Sequence, residues 1–176
     1  TIPITYLAQG GKMIEMLLHI VRANVRNPVE VEGDLYSLAA CNEVGCRRLG
    51  EMMEEFSLTS LKQLGEEVIK MSREGMRAEI AKLPNGIYEN AMRIDGYERE
   101  VDLVAKMTIS DDEVAVDFTG TSPVSSYGIN VPITYTEAYA SFGVRCIIGG
   151  AVPNNAGSLQ TIRITAPEGT ILNAPH

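Results

Sequence analysis

The residues best equipped for chemistry gather between Val114 and Pro132. Val114-Ala115-Val116-Asp117-Phe118 alternates as a strand does, then runs into Thr119-Gly120-Thr121-Ser122-Pro123 and Tyr127-Gly128-Ile129-Asn130-Val131-Pro132. A carboxylate (Asp117), hydroxyls (Thr119, Thr121, Ser122) and an amide (Asn130) thus sit at the carboxyl end of one strand, while Gly120 and Gly128 let backbone approach a ligand closely. Binding groups concentrate on loops held by rigid elements. The chemistry on offer is orientation of a polar substrate and stabilisation of developing charge by aimed hydrogen bonds. The same residue types also make turns, and composition leaves both readings open. A second Asn/Gly-rich loop, Val152 to Gly157, adds Asn155 and Gly157. The short strand after it, around Ile162 and Ile164, could pair beside the first and bring both loops to one rim.

Self-contained catalytic apparatus is missing from the sequence. It has no Gly-x-x-x-x-Gly-Lys-Ser/Thr, Gly-x-Gly-x-x-Gly, Gly-x-Ser-x-Gly or His-Glu-x-x-His. With only His19 and His176, neither a triad nor a histidine metal cluster can be assembled. Asp34, before a long helical pattern, is placed as an N-cap; a carboxylate there could also face a bound cation. Cys41, Cys46 and Cys146 form no Cys-x-x-Cys pair and lie in apolar sequence, which predicts buried, reduced thiols.

The elements that must position these groups follow from periodicity. Lys12 to Val21 is apolar on more than one face and reads as a short covered helix. From Leu35, positions Leu38, Ala39, Cys46, Leu49, Met52, Met53 and Phe56 keep helical spacing. A second long helix is predicted from about Ser60 to Lys82, with Leu61, Leu64, Val68, Met71, Gly75 and Ala78 as its packing stripe. The two long helices should form an antiparallel hairpin. After Leu83-Pro84-Asn85-Gly86 the period changes to two. A strand from Gly86 to Ile94 precedes a hairpin in which Val101, Leu103, Ala105, Met107 and Ile109 face Val114, Val116 and Phe118. Asp117 should then point to the opposite face, with Asp102, Lys106 and Thr108. Thr134-Tyr135-Thr136-Glu137 has capping-box spacing for a helix with Tyr135, Ala138, Tyr139, Phe142 and Cys146 on its apolar face. The expected fold is α+β: a long-helix hairpin (about 12–83), then an antiparallel sheet, one further helix and short C-terminal strands (about 86–176).

At 176 residues, 45% hydrophobic and 22% charged, the chain suffices for one globular core and is too mixed to be disordered. Its formal charge of −8 argues against nucleic acid or an anionic membrane as partner. No run reaches membrane-span length, there is no signal-peptide pattern, and Thr1-Ile2-Pro3-Ile4 reads as a cut end; the expectation is a cytoplasmic protein. The stripe from Leu61 to Ala78, the Met13 to Val21 segment and the unfinished C-terminal strand should leave apolar surface that drives self-association.

The spelling of the loops carries more. Asp117-Phe118-Thr119-Gly120-Thr121-Ser122-Pro123, Ile129-Asn130-Val131-Pro132, Pro153-Asn154-Asn155-Ala156-Gly157 and Ala166-Pro167-Glu168-Gly169-Thr170 resemble the hydantoinase B/oxoprolinase family. So do Asn24-Val25-Arg26-Asn27-Pro28, Gly33-Asp34-Leu35 and Arg77 to Gly86, in the same order. The resemblance spans nearly the whole chain, which would be a central part of an N-methylhydantoinase B-type subunit. It implies a share in an ATP-dependent hydrolase that opens cyclic amides such as hydantoins and 5-oxoproline with an A-type partner subunit. Mg²⁺ or Mn²⁺ and ATP would serve the full assembly, with none held by this chain and its metal motif lying outside it. The residues expected to face the substrate, on their side-chain chemistry and loop positions, are Asp117, Thr119, Gly120, Thr121, Ser122, Asn130, Asn155 and Gly157, with Asp34 as a further candidate. A ketone carboxylase subunit of the same superfamily, or a scaffold holding a catalytic partner, are the alternatives. The chain departs from the family pattern at Leu38, where Gln is usual, and at Gln160-Thr161, where Arg-Pro is usual.

Overall fold

The computed structural model describes residues 2–175, an α+β architecture with five helices, a two-stranded antiparallel sheet and a four-stranded mixed sheet among them. Two compact units divide between Leu61 and Lys62. In the first, β1 (Ala8–Gln9) and β2 (Lys12–Met13) turn on Gly10-Gly11, both at positive φ. Helix α1 (Glu15–Asn24) buries Leu18 alone, whereas Met16 and Ile20 are exposed, so the expected short helix is present but not covered.

Helix α2 (Pro28–Glu55) begins seven residues before the expected Leu35. Pro28 at its first turn presets the helical φ and lacks only an N–H that would be unpaired there, so Asn27 is the cap position. Asp34 therefore lies within the helix, exposed, and caps nothing. Gly33 is carried inside the helix instead of breaking it. The Arg22 guanidinium meets the Glu32 carboxylate, tying α1 to α2. No residue of α2 is buried. Cys41 and Cys46 are consequently exposed thiols, as is Cys146 further on; they are free, as expected, but not buried.

In the second unit, α3 (Lys62–Ile80) turns Ser72, Met76 and Ile80 inward. The expected stripe is on the wrong face: Leu64, Val68 and Met71 are exposed. Each long helix packs within its own unit, α2 against α1 and α3 against the short α5 (Ala156–Leu159) and the sheet. The sheet runs β3 (Gly86–Ile94), β4 (Val101–Ser110), β5 (Glu113–Asp117) and β6 (Ile162–Thr165). The first three are antiparallel neighbours and β6 pairs parallel to β5, with Val114 beside Ile162 and Asp117 beside Thr165. The β4–β5 turn is Asp111-Asp112, with Asp111 at φ 53°. One face of the sheet supplies Ile109, Val114, Val116, Ile162 and Ile164 to a core closed by Met76, Ile80 and Ile148.

Helix α4 (Ile133–Ile147) starts after Pro132 with no side-chain cap, so the Thr134 to Glu137 spacing does not act as a box. Its inward face is Thr136, Ala140, Ser141 and Val144; Tyr135, Tyr139 and Phe142 are exposed. The Thr136 hydroxyl donates to the Leu172 carbonyl at 2.6 Å.

Candidate functional site

Asp117 ends β5 on the face away from the core, as strand alternation requires. Cross-strand register lines up Glu89, Lys106, Asp117 and Thr165 as one row over four strands. Asp117 Oδ1 accepts from the Thr119 N–H at 3.0 Å, the Thr119 hydroxyl at 2.7 Å and the Thr165 hydroxyl at 3.5 Å. The Thr119 hydroxyl, then its N–H, hold the Asp117 carboxyl below the usual range, with Lys106 adding to the effect. Asp117 is an anion at neutral pH, and all these bonds go to Oδ1. An open recess, about 640 Å³, is lined by Glu89, Asn90, Val104, Lys106, Asp117 and Thr119.

The rest of the loop is spent on holding itself. β5 stops pairing with β4 at Lys106, and loop side chains continue where the ladder ends. The Thr121 hydroxyl accepts from the Val104 N–H at 3.0 Å and donates to the Val104 carbonyl at 3.2 Å. The Ser122 hydroxyl accepts from the Asp102 N–H at 2.9 Å. Gly120 is at φ 97°, a conformation that side chains resist. The Asn130 amide closes the next turn, accepting from the Ser125 N–H at 2.7 Å and donating to the carbonyls of Ser125 and Tyr127. Glu98 holds this turn from outside, accepting from the Ser125 hydroxyl and the Ser126 N–H; the hydroxyl chiefly keeps the Glu98 carboxyl below its ordinary value. Gly128 meets open space.

The second loop does not join the first. Because β6 is parallel to β5, the loop preceding β6 lies at the end of the sheet opposite to the loop following β5. Asn155 caps α5, accepting from Gly157 and Ser158 N–H groups, and donates to the Ser72 hydroxyl at 2.7 Å. Gly157 lies so close to α3 that a Cβ there would stand 1.9 Å from the Ile69 carbonyl oxygen. What reaches the Asp117 rim instead is the chain after β6: Gly169 accepts from the Val124 N–H, and the Ile171 N–H donates to Ser122.

Sequence reasoning set Lys106 on the face of Asp117 without counting it as a site residue, and missed Glu89, which the β3–β4 register places in the same row. It also missed an apolar groove of about 420 Å³ on the core side, between the β3 end of the sheet and α4, lined by Met92, Leu103, Phe118, Ile129, Tyr135 and Tyr139. Tyr135 and Tyr139 stack there, ring centroids 4.4 Å apart. None of the expected site residues lines this groove. His19 is a surface residue beside Glu15; His176 lies outside the described residues.

A divalent cation does not fit the residues present. Among the described residues no three His, Cys, Asp or Glu side chains gather as ligands; of the two carboxylates in the recess, Asp117 has Oδ1 committed to Thr119 and Glu89 lies 3.8 Å from the Lys106 ammonium.

A mixed sheet covered on one face by helices and carrying a polar loop at the end of β5 defines the class, and sequence comparison names it. The hydantoinase B/oxoprolinase family model matches residues 1–176, so the chain belongs to that family. It is 34% identical over 168 residues to a Pseudomonas sp. (strain NS671) protein provisionally assigned as the B component of a D-/L-hydantoinase, covering 88% of this chain and 28% of that one. It is 25% identical to the beta chain of the caprolactamase of Pseudomonas jessenii, covering 99% of this chain and 31% of the relative. The fold is shared with the crystal structure of the ATP-dependent caprolactamase from Pseudomonas jessenii, at TM-score 0.81, 24% identity and 99% of this chain against 31% of that one. A nucleotide-free acetone carboxylase has it too, at TM-score 0.82, 17% identity and 99% against 25%. The chain thus spans about three tenths of the length of the hydantoinase and caprolactamase chains it matches. No helix among the described residues is long and apolar enough to cross a membrane.

Proposed function

We propose that this chain is the central part of the B-type subunit of an ATP-dependent cyclic amide hydrolase, acting with an A-type partner on hydantoin- or 5-oxoproline-like rings in the cytoplasm. The observation that carries the reading is the family match along all 176 residues. Resonance makes an amide carbonyl a poor electrophile, and transfer of a phosphoryl group to its oxygen gives the ring carbon a leaving group. ATP with Mg²⁺ or Mn²⁺, held elsewhere in the assembly, would supply that activation. The contribution of this chain is orientation. Asp117 Oδ2, anionic and fixed by Thr119, accepts a ring N–H, and the Lys106 ammonium faces oxygen that gains negative charge. Thr121, Ser122 and Asn130 hold the loop that carries Asp117.

The test uses the full-length protein with its A-type partner. Asp117→Asn and Lys106→Met should each lower kcat by about 10²–10³, the typical cost of removing a group aimed at developing charge, with melting temperatures nearly unchanged. Unchanged turnover in both would make this face a scaffold. Consumption of bicarbonate with a ketone, in place of ring opening, would assign the assembly to ketone carboxylation.

A further inference from the structure

Strand β3 is the outer edge of the sheet and is built to be paired. Its register with β4 is unbroken from Gly86 opposite Ile109 to Ile94 opposite Val101, with no bulge. It contains no proline, and Ile87 and Met92 are 61% and 57% exposed. Edges left open to solvent are ordinarily blunted by bulges, prolines, charges or short length; this one has nine residues, no bulge and no proline, and its two charges, Glu89 and Arg93, are of opposite sign. The Ala91 N–H is turned away from β4 and donates only to its neighbour, the Asn90 side-chain oxygen, at 2.9 Å. Alternation then turns the N–H and C=O groups of Glu89 and Arg93 outward as well.

We infer that β3 pairs antiparallel with β3 of a second copy of this chain, about a two-fold axis at Ala91, joining two four-stranded sheets into one. The register is fixed by what it sets opposite. With Ala91 facing Ala91, Glu89 of each copy faces Arg93 of the other on the outer face, so two opposite-charge pairs flank a small residue on the axis. On the groove face Tyr88 meets Ile94 and Asn90 meets Met92. The outward backbone groups of Glu89, Ala91 and Arg93 are those the new ladder needs, and Asn90 is displaced by the partner's Ala91 carbonyl. Arg93 already meets Asp102 of β4 with Nε and Nη2 and Glu100 with Nη1, so the partner's Glu89 would add a further carboxylate to a guanidinium these contacts already hold. An edge pairing between identical strands is isologous and closes at two copies.

The test is done on this chain with Cys41, Cys46 and Cys146 changed to Ser, so that no other thiol reacts. Ala91→Cys is then oxidised with glutathione. Antiparallel partners have Cα atoms roughly 4.5–5.5 Å apart, within the disulfide range of about 4.4–6.8 Å. The expected product is a covalent dimer of about 38 kDa, twice the 19.1 kDa chain, while Thr108→Cys on β4, away from the axis, stays uncrosslinked. Without oxidant, light scattering at tens of micromolar should give the dimer mass, and Glu89→Lys, which sets Lys against Arg93, should return it to the monomer mass with its circular dichroism unchanged. A monomer at that concentration, a dimer that Ala91→Cys does not crosslink, or open-ended larger assemblies would each overturn the inference. The monomer outcome would leave the edge to a strand of another polypeptide.

Discussion

Gly157→Ala is the sharpest probe of what the second polar loop does. Its new Cβ would lie 1.9 Å from the Ile69 carbonyl oxygen, 2.8 Å from the Ile69 carbonyl carbon and 3.1 Å from the Arg73 nitrogen, all backbone atoms of α3. Backbone inside a helix cannot swing aside as a side-chain tip can, so α5 must lift from α3. Overpacking of this kind costs about 1–3 kcal/mol. Lifting α5 also breaks the bond from Asn155 to Ser72 and disturbs the turn in which Thr161 donates to Ser158, adding about 1 kcal/mol for a lost hydrogen bond. A total of roughly 3 kcal/mol corresponds to a drop in Tm of about 6–12 °C for a chain of this size. Calorimetry of the variant checks the shift, and turnover of the full assembly, normalised to folded protein, should be unaltered. A Tm within about 2 °C of the parent, well under the shift expected for a chain of this size, would refute the packing argument, and a loss of kcat at unchanged Tm would return Gly157 to the substrate wall.

Met76→Ala removes a fully buried side chain from the centre of the second unit's core and should cost about 2–5 kcal/mol, read from urea denaturation. Native protein should expose three thiols to Ellman's reagent without denaturant, since Cys41, Cys46 and Cys146 are all at the surface; fewer than three would show that α2 or α4 is covered. Stability should fall as pH drops below about 4, the ordinary carboxyl range. The native carboxyls of Glu98 and Asp117 titrate lower than in the unfolded chain, so between the two values the unfolded state binds more protons and stability rises with pH. Their contribution is complete above the unfolded value and lost as pH falls through the native one. Glu98→Gln should flatten that acid limb in chemical melts from neutral to acid pH, and an unchanged limb would show that the Ser125 latch carries none of it.

Strands and turns were the legible part. Period-two alternation, bounded by Asn85-Gly86 and Ser110 to Glu113, placed β3, β4, β5 and the outward face of Asp117, because side-chain direction in a strand is fixed by the pleat. Helix faces were less legible. In α3 the inward row includes Ser72, a polar residue kept there to receive the Asn155 amide, so apolar spacing alone points to the neighbouring face. The start of α2 was hidden because Gly33-Asp34 is a better cap spelling than Asn27-Pro28, yet a proline at the first turn and a glycine tolerated inside the helix won. The separation of the two polar loops was illegible, since it turns on β6 being parallel to β5, a choice that local spelling does not encode.

The hydrogen-bond inventory of the first loop separates residues that could act from residues that hold. Thr121 uses its hydroxyl as donor and acceptor to one residue, Val104, and is itself buried. Thr121→Val keeps the shape and removes both functions, leaving a strand N–H and C=O unpaired at the point where β5 has already ended. The cost should be about 1–3 kcal/mol for unsatisfied groups. Asp117→Asn behaves oppositely: an amide oxygen still accepts from Thr119, so the turn persists, while the negative charge facing Lys106 and the recess is gone. If Asp117 orients substrate, Thr121→Val lowers Tm with kcat per folded molecule intact, and Asp117→Asn lowers kcat with Tm nearly intact. Measured side by side in the full assembly, a lowered Tm in both variants with kcat intact would show that the loop, Asp117 included, serves only to end the sheet.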